Sequence, residues 1–279
     1  MTLDRTLAAR LPRLHEAQER QEAENVLAAA AGAELGVATR TWSDGVWSVR
    51  TRASPEHEPG NQITGLSPER LDLLDAILPW YDEVGCSARV RLPGAALEVD
   101  VGEALARRGF VAHELEAWMA APLDAIRLDA PHHDIRPVED AASLDAFFTA
   151  FNAGWEVPEA KQPIARAALG PLPAPTGWHR FVAFVDGEPA GEAILALFDD
   201  VAYLAEAATA PRFRRRGVQR ALIAHRAEFA RAAGAQVLFG GVRYGDGSWA
   251  NMRGYGLAET FMTLTFIRPP RPADAPPRE

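Results

Sequence analysis

The chain has 279 residues, 48% of them hydrophobic and 24% charged, which is the composition of a water-soluble globular protein with room for two domains. A formal net charge of −9 argues against a nucleic-acid partner, because no basic face is long enough to follow a phosphate backbone. No run of about 18 apolar residues occurs and the first residues are charged, so we expect neither a membrane span nor a signal peptide. The single cysteine, Cys86, fits a reducing compartment, and we expect a cytoplasmic protein.

The N-terminal half predicts few elements. The apolar pattern predicts a helix over 66–80 and a strand over 88–92. A helix and then a strand follow within 104–119, separated by Gly109 and Phe110. A linker is expected over 123–134, where Pro131 interrupts the pattern.

The C-terminal half has clearer patterns. Helices are predicted over 138–151 and, more briefly, over 164–169. A hairpin with Asp186 and Gly187 at its turn is predicted from 181–185 and 190–198, and a third strand from 201–209. The remaining elements are a helix over 218–233, a strand over 236–242, a helix over 249–255 and a strand over 260–267. The segment 269–279 is rich in proline and charge, and we expect it to be disordered.

A basic turn, Arg214-Arg215-Arg216-Gly217, joins the third strand to the long helix. Backbone N–H groups at a helix N-terminus have no intrahelical partners, and the helix dipole favours negative charge there. A glycine lets the backbone approach a phosphate without an intervening Cβ atom. The order strand, basic glycine turn and helix therefore predicts a pyrophosphate site.

Pro211, Arg214, Gly217 and the aliphatic Val218 resemble the acyl-CoA-binding motif of the GNAT superfamily of N-acetyltransferases, although Gln219 stands where the family usually has Gly or Ala. The resemblance covers about 134–268, which we expect to be the acetyltransferase domain. The helix, glycine and strand pattern near Gly109 repeats near Gly256, so residues 1–125 are expected to be a degenerate copy of that domain. An unrelated α/β domain is the alternative. The implied fold class is α/β (α+β), with tandem GNAT-like domains whose mixed, mostly antiparallel sheets are flanked by helices.

The resemblance also implies that acetyl-CoA is the co-substrate. Its pantetheine arm and thioester oxygen would lie on the backbone of Ala207, Ala208 and Thr209. Its pyrophosphate would lie on the amides of Arg215, Arg216, Gly217, Val218, Gln219 and Arg220. The side chains of Arg214, Arg215 and Arg216 would add charge-assisted contacts, with one of the three left in solvent. Asn251 either touches the pantetheine or makes a hydrogen bond on the helix surface.

Glu206 is the candidate general base, because an acidic side chain among alanines would gain a raised pKa in a cleft. The alternative is a glutamate on the polar face of the strand. Glu192 on the neighbouring strand is the reserve candidate, and either carboxylate could instead hold the ammonium of the acceptor. Met252 stands where many members of the family have a tyrosine acid, which leaves Ser248 or water to protonate the leaving sulfur.

Trp155 and Glu156 lie in a loop that usually lines the acceptor site of this family, and they would suit a cationic or aromatic amine. Packing of Trp155 against the sheet is the alternative. The histidines show no metal-ligand spacing, so no metal is expected. We expect transfer to a primary amine of a small molecule by a monomer or homodimer. A protein or peptide N-acetyltransferase and a catalytically silent acyl-CoA-binding module remain open.

Overall fold

The computed structural model describes residues 10–12, 14, 17, 20, 35–43, 45–56, 60–126, 129–169 and 172–270. Residues 271–279, most of the expected disordered tail, lie outside these ranges, so that expectation is untested. Within the described residues, no helix is long and apolar enough to cross a membrane.

Strands and helices are interspersed along the described chain. Up to residue 126 they are β1 (Val37–Ser43), β2 (Val46–Thr51), β3 (Gln62–Thr64), α1 (Leu74–Asp82), β4 (Ala88–Pro93), α2 (Val99–Arg107) and β5 (Val111–Pro122). From residue 134 they are β6 (Asp134–Pro137), α3 (Ala141–Gly154), α4 (Gln162–Leu169), β7 (Trp178–Val185), β8 (Glu188–Phe198), β9 (Val201–Thr209), α5 (Val218–Ala232), β10 (Val237–Arg243), α6 (Gly247–Gly254) and β11 (Ala258–Arg268). Each element predicted from the sequence is present, most of them with shifted ends, while β1 to β3 and β6 had no sequence prediction.

The chain forms two compact units. The first falls in 9–116, 167–169 and 261 onward, and the second in 117–166 and 170–260. Two strands contribute to both units, since β5 is divided after residue 116 and β11 after residue 260. One unit boundary therefore falls within β5, inside the predicted domain 1–125. The other falls within β11, inside the predicted domain 134–268. A sequence pattern marks where a strand begins and ends, but it does not show which sheet the strand joins.

In the first unit, β1, β2 and β3 pair antiparallel in that order, and β3 pairs parallel with β4. Residues 263–268 of β11 pair antiparallel with β4. Leu74, Ile77 and Tyr81 of α1 are fully buried in the core, and Cys86 is buried beside them, as a small apolar residue would be. The predicted helix over 66–80 is divided into a 3-10 turn, Pro68–Leu73, and α1. That this unit is a degenerate copy stays a prediction.

In the second unit, β6, β7, β8 and β9 form a consecutive antiparallel series, and β9 pairs parallel with β10. Asp186 and Gly187 both have positive φ, 55° and 81°, as a two-residue hairpin turn requires. Asp140 caps α3 by accepting from the Ser143 amide at 2.7 Å. The predicted mixed fold with a mostly antiparallel sheet and flanking helices is confirmed.

The two faces of this sheet carry different helices. A Cβ atom added to Gly191 would lie 2.8 Å from Val218 Cγ1, so α5 covers the face of β8 to which Gly191 belongs. A Cβ atom added to Gly154 would lie 2.6 Å from the Cβ atom of Ala208, so the end of α3 lies on the face of Ala208. Because Ala208 pairs with Glu192, the neighbour of Gly191, these are opposite faces.

Candidate functional site

The strands β9 and β10 diverge halfway along their length. Their parallel pairing runs from Val201–Val237 to Leu204–Gly240 and ends there. Beyond that point Ala207 to Thr209 pair with β8, and within the described residues they have no pairing with β10. One edge of β9 is therefore free to hydrogen-bond a ligand that enters between the two strands.

A β-bulge lies where the divergence begins. Leu204 pairs with Leu195 and Ala207 pairs with Ala193, so Ala205 and Glu206 together face the single residue Ile194. A bulge inserts one residue and redirects the side chains that follow it. The segment predicted to hold a thioester, 207–209, begins directly after this bulge.

The turn after β9 presents a row of backbone donors. Arg215 and Gly217 have φ of 64° and 79°, and α5 begins at Val218. The first helical amide with a backbone acceptor is that of Ala221, which donates to the Gly217 carbonyl at 3.0 Å. In the described part of the chain, the N–H groups of residues 215–220 have no protein acceptor. This is the arrangement that binds a phosphate at a helix N-terminus.

The segment before β6 lies against the other side of this turn. His133 Nε2 hydrogen-bonds the Arg216 carbonyl at 2.9 Å, and a Cβ atom added to Gly217 would lie 2.5 Å from Pro131 Cγ. In a trans peptide the C=O and N–H groups point in opposite directions, so the N–H that follows the Arg216 carbonyl points away from His133. The residues present therefore fit a pyrophosphate on the amide side of the turn.

The arginine side chains have separate partners. Arg214 donates to the Thr209 and Gly154 carbonyls at 3.3 and 3.4 Å, which ties the turn to the end of β9 and of α3. Arg216 pairs with Asp186 at 2.9 Å, and Arg220 donates to the Asp129 carbonyl at 2.8 Å. Arg215 is exposed and is the arginine that matches the expected solvated one.

Two carboxyl groups with raised pKa values lie on one face of the sheet. Glu192 is fully buried, and burial together with the charge of Glu206 raises its pKa to about 8. Glu206 reaches solvent, yet the surrounding protein desolvates it enough to raise its pKa to about 7. A carboxyl with a pKa near neutrality is suited to accept a proton at working pH.

Trp155 connects the loop after α3 to this carboxyl pair. Its indole Nε1 donates to Glu192 Oε1 at 3.1 Å, while 50% of the residue remains exposed. Trp155 thus packs against the sheet residue Glu192 and also presents ring surface to solvent. Glu156 is exposed, has φ of 53°, and is not brought into contact with the carboxyl pair.

The remaining predicted residues form a bridge between α5 and α6. The Gln219 amide donates to Ser248 Oγ and accepts from Asn251 Nδ2 at 2.8 Å. The sequence places Ser248 just before a helix, whereas the structure places it in the first turn of α6, which Asp246 caps. Met252 is buried, and its methyl group would be 3.1 Å from a Cβ atom added to Gly240, where β9 and β10 separate.

Tyr255, directly after α6, has its hydroxyl engaged within the protein. It is buried, and its hydroxyl donates to the Arg220 carbonyl at 3.0 Å. Sequence reasoning missed a different residue, Arg226, which α5 buries beneath the bulge of β9. Its only signal in the sequence was a charged side chain within the apolar face of a helix.

Residues 144–249 match a family model described as Acetyltransferase (GNAT) family. No curated protein matches the chain. A GCN5-related N-acetyltransferase from Kribbella flavida is 14% identical, with 90% of this chain and 95% of that chain covered and a TM-score of 0.63. A functionally unknown conserved protein from Staphylococcus epidermidis is 12% identical, with 86% and 96% covered and a TM-score of 0.66. A tandem GNAT protein from the clavulanic acid biosynthesis pathway is 10% identical, with 82% and 79% covered and a TM-score of 0.54. At these identities the structural similarity establishes the fold.

Proposed function

Residues 144–249 form a domain of the GNAT acetyltransferase family, and from this premise we propose that the protein transfers the acetyl group of acetyl-CoA to a primary amine of a small molecule. The family in general carries out acyl-CoA-dependent N-acyl transfer. The observation that carries the proposal for this chain is the row of free N–H groups at 215–220, directly after a strand that has separated from its neighbour.

Two groups of residues would hold the donor. The amides of 215–220 are suited to its pyrophosphate, and the free edge of 207–209 is suited to its pantetheine arm. The bound donor supplies a thioester, whose carbonyl oxygen becomes more negative as the amine attacks. Backbone N–H groups aimed at such an oxygen are the usual source of transition-state stabilisation in acyl transfer.

Glu206 would accept the proton that the amine gives up as the C–N bond forms and the C–S bond breaks. Its pKa of about 7 and its access to solvent suit that role. Ser248 accepts a hydrogen bond from Gln219, which leaves its own O–H able to donate a proton to the departing sulfur. Water is the alternative donor at that position.

The acceptor subsite would combine Trp155 with the carboxyl pair. A half-exposed indole beside Glu192 favours a cationic amine through cation–π attraction, and Glu206 on the same face adds a negative charge when it ionises. We place Glu156 at the entrance of this subsite, because it is exposed in the same loop. A thiol-release assay over amines and peptides distinguishes a small-molecule acceptor from a peptide acceptor.

A catalytically silent acyl-CoA-binding module is the second candidate. The observation that favours it is Met252, an apolar side chain buried against Gly240 where the family often places a tyrosine acid. Both candidates predict binding of acetyl-CoA. Only the enzyme predicts release of free thiol.

The test combines calorimetry with acetyl-CoA and a thiol-release assay over mono-amines, diamines, aromatic amines and peptides. Gln219→Pro removes one backbone N–H in the first helical turn, where proline is tolerated, and Gln219→Ala is the matched control that loses only the side chain. Because a hydrogen bond to a charged group contributes about 1.5–3 kcal/mol, Gln219→Pro should bind acetyl-CoA at least about tenfold more weakly than Gln219→Ala.

Equal affinity of the two variants, both folded by circular dichroism, would place the pyrophosphate elsewhere. Binding without thiol release on any acceptor would favour the silent module. Gly217 is a poor test position, because any side chain there meets Pro131 and a strained φ before it meets a ligand.

A further inference from the structure

Arg226 is an arginine buried in the middle of an otherwise apolar helix face. Only 2% of it is exposed, between buried residues such as Leu222 and Ala227. Removing a guanidinium from water is costly unless its N–H groups find acceptors. Leucine or methionine would fill the same space in α5 without this desolvation cost.

The acceptors of Arg226 are backbone carbonyls around the β-bulge. Its Nη1 lies 2.9 Å from the Ile194 carbonyl and 3.4 Å from the Ala205 carbonyl, and its Nε donates to Leu222 within α5 at 3.2 Å. Ile194 is the residue opposite the bulge, and Ala205 is the first residue of it. The side chain therefore joins both strands at the point where their register changes. Burial lowers the pKa of the guanidinium to about 10, and the nearby Glu192 opposes this shift.

The bulge decides which face of the sheet carries Glu206. Leu204 pairs with Leu195, which lies on the same face as Gly191, the face that α5 covers. In a regular strand Glu206, two residues after Leu204, would share that face. The inserted residue instead places Glu206 on the face of Ala208 and Glu192, where α3 ends and Trp155 lies.

We propose that Arg226 is a positioning residue, which holds the β9 bulge and so keeps Glu206 and the amides of 207–209 on the cleft side. Without Arg226, a slip of β9 by one residue would restore regular pairing with β8. Such a slip turns every later side chain of β9 to the opposite face of the sheet. The proposal deepens the proposed function, since it assigns the residue that maintains the geometry of the base.

Three variants separate charge from geometry. Arg226→Lys keeps the charge but reaches one carbonyl at a time, Arg226→Gln keeps N–H donors without the charge, and Arg226→Met keeps only the volume. Arg231→Lys and Arg231→Gln are the matched controls, because Arg231 lies on the same helix and also donates to a backbone carbonyl, that of Leu123.

The first measurement is independent of turnover. Amide hydrogen exchange of the segment 203–209, followed by mass spectrometry, should accelerate at least about tenfold in Arg226→Met and Arg226→Gln and less in Arg226→Lys, with the Arg231 variants unchanged. The second is calorimetry with acetyl-CoA, whose affinity should fall by about tenfold in Arg226→Met and Arg226→Gln and by less in Arg226→Lys, because the free edge of β9 moves.

The third measurement is turnover of acetyl-CoA with the best amine of the panel. We expect kcat of Arg226→Gln to fall by about 100-fold, the size of losing an oriented backbone donor, with a smaller loss for Arg226→Lys. The limb of the pH profile that Glu206 governs should also disappear or move. A purely structural role would lower the amount of folded enzyme without moving that limb.

Unchanged exchange over 203–209 in folded Arg226→Gln overturns the proposal, whatever the activity. If Arg226→Met fails to fold, Arg226→Lys and Arg226→Gln carry the same comparison. Wild-type protein that shows no thiol release on any acceptor overturns the proposed function instead, while the exchange result still decides what Arg226 does to the bulge.

Discussion

Glu192→Gln is the substitution whose effect can be worked out most fully from the structure. The folded protein holds this carboxyl buried, with a pKa of about 8 against an ordinary value of 4.5. A raised folded pKa means that the contribution of the group to stability is fully present below pH 4.5 and is lost as the pH rises towards 8. Glutamine has no such dependence, and its oxygen can still accept from Trp155.

The magnitude follows from this difference in pKa. Each pH unit over which the unfolded carboxyl is ionised and the folded one is not costs about 1.4 kcal/mol of unfolding free energy. Between pH 5 and pH 8 roughly three quarters of that cost accumulates. The free energy of unfolding of Glu192→Gln minus that of the wild type should therefore be about 3.5 kcal/mol larger at pH 8 than at pH 5, so the variant gains stability relative to the wild type as the pH rises.

Urea denaturation followed by tryptophan fluorescence at the two pH values measures this difference. Taking the difference between variant and wild type at each pH, and comparing that difference across pH, cancels any pH-independent loss from an unpaired glutamine N–H group. Glu188→Gln, on the same strand but in an exposed ion pair with Arg212, is the matched control and should differ from the wild type by less than about 1 kcal/mol at both pH values. A pH-independent effect of Glu192→Gln would mean that the carboxyl is ionised in the folded protein, and the account of the carboxyl pair would be wrong.

Three further predictions concern other parts of the second unit. Glu206→Gln should lower turnover by about 100-fold and remove the rise in rate as the pH passes about 7, while acetyl-CoA affinity stays within about twofold of the wild type. An unchanged pH profile would exclude Glu206 as the base. Gly154→Ala should destabilise the fold by about 1–3 kcal/mol in urea titrations, because its Cβ atom would lie 2.6 Å from that of Ala208; a neutral effect would show that α3 shifts freely. Burial lowers the pKa of His179 and His225, so their contribution to stability is present above about pH 6.5 and is lost as the pH falls. The double variant His179→Phe, His225→Phe should therefore show a smaller drop in melting temperature between pH 7.5 and pH 5.5 than the wild type. An equal drop in both proteins would contradict this.

The sequence was sufficient for features that depend on local chemistry. Helical periodicity and the Asp186-Gly187 turn predicted α3, β7 and β8, because spacing and φ preferences act over a few residues. The basic glycine turn before α5 predicted a row of free backbone donors for the same reason, since any helix N-terminus leaves them unpaired. That these donors hold a pyrophosphate remains a proposal.

Only the tertiary structure decided how distant residues combine. Two-residue alternation along β9 would have turned Glu206 towards α5, and the bulge opposite Ile194 reverses this. The contacts of Arg226 with that bulge join elements far apart in the chain, so no local pattern could reveal them. The division of β5 and β11 between the two units is equally non-local. Backbone N–H and C=O groups are the same in every strand, so the sequence of a strand does not specify which strand it pairs with.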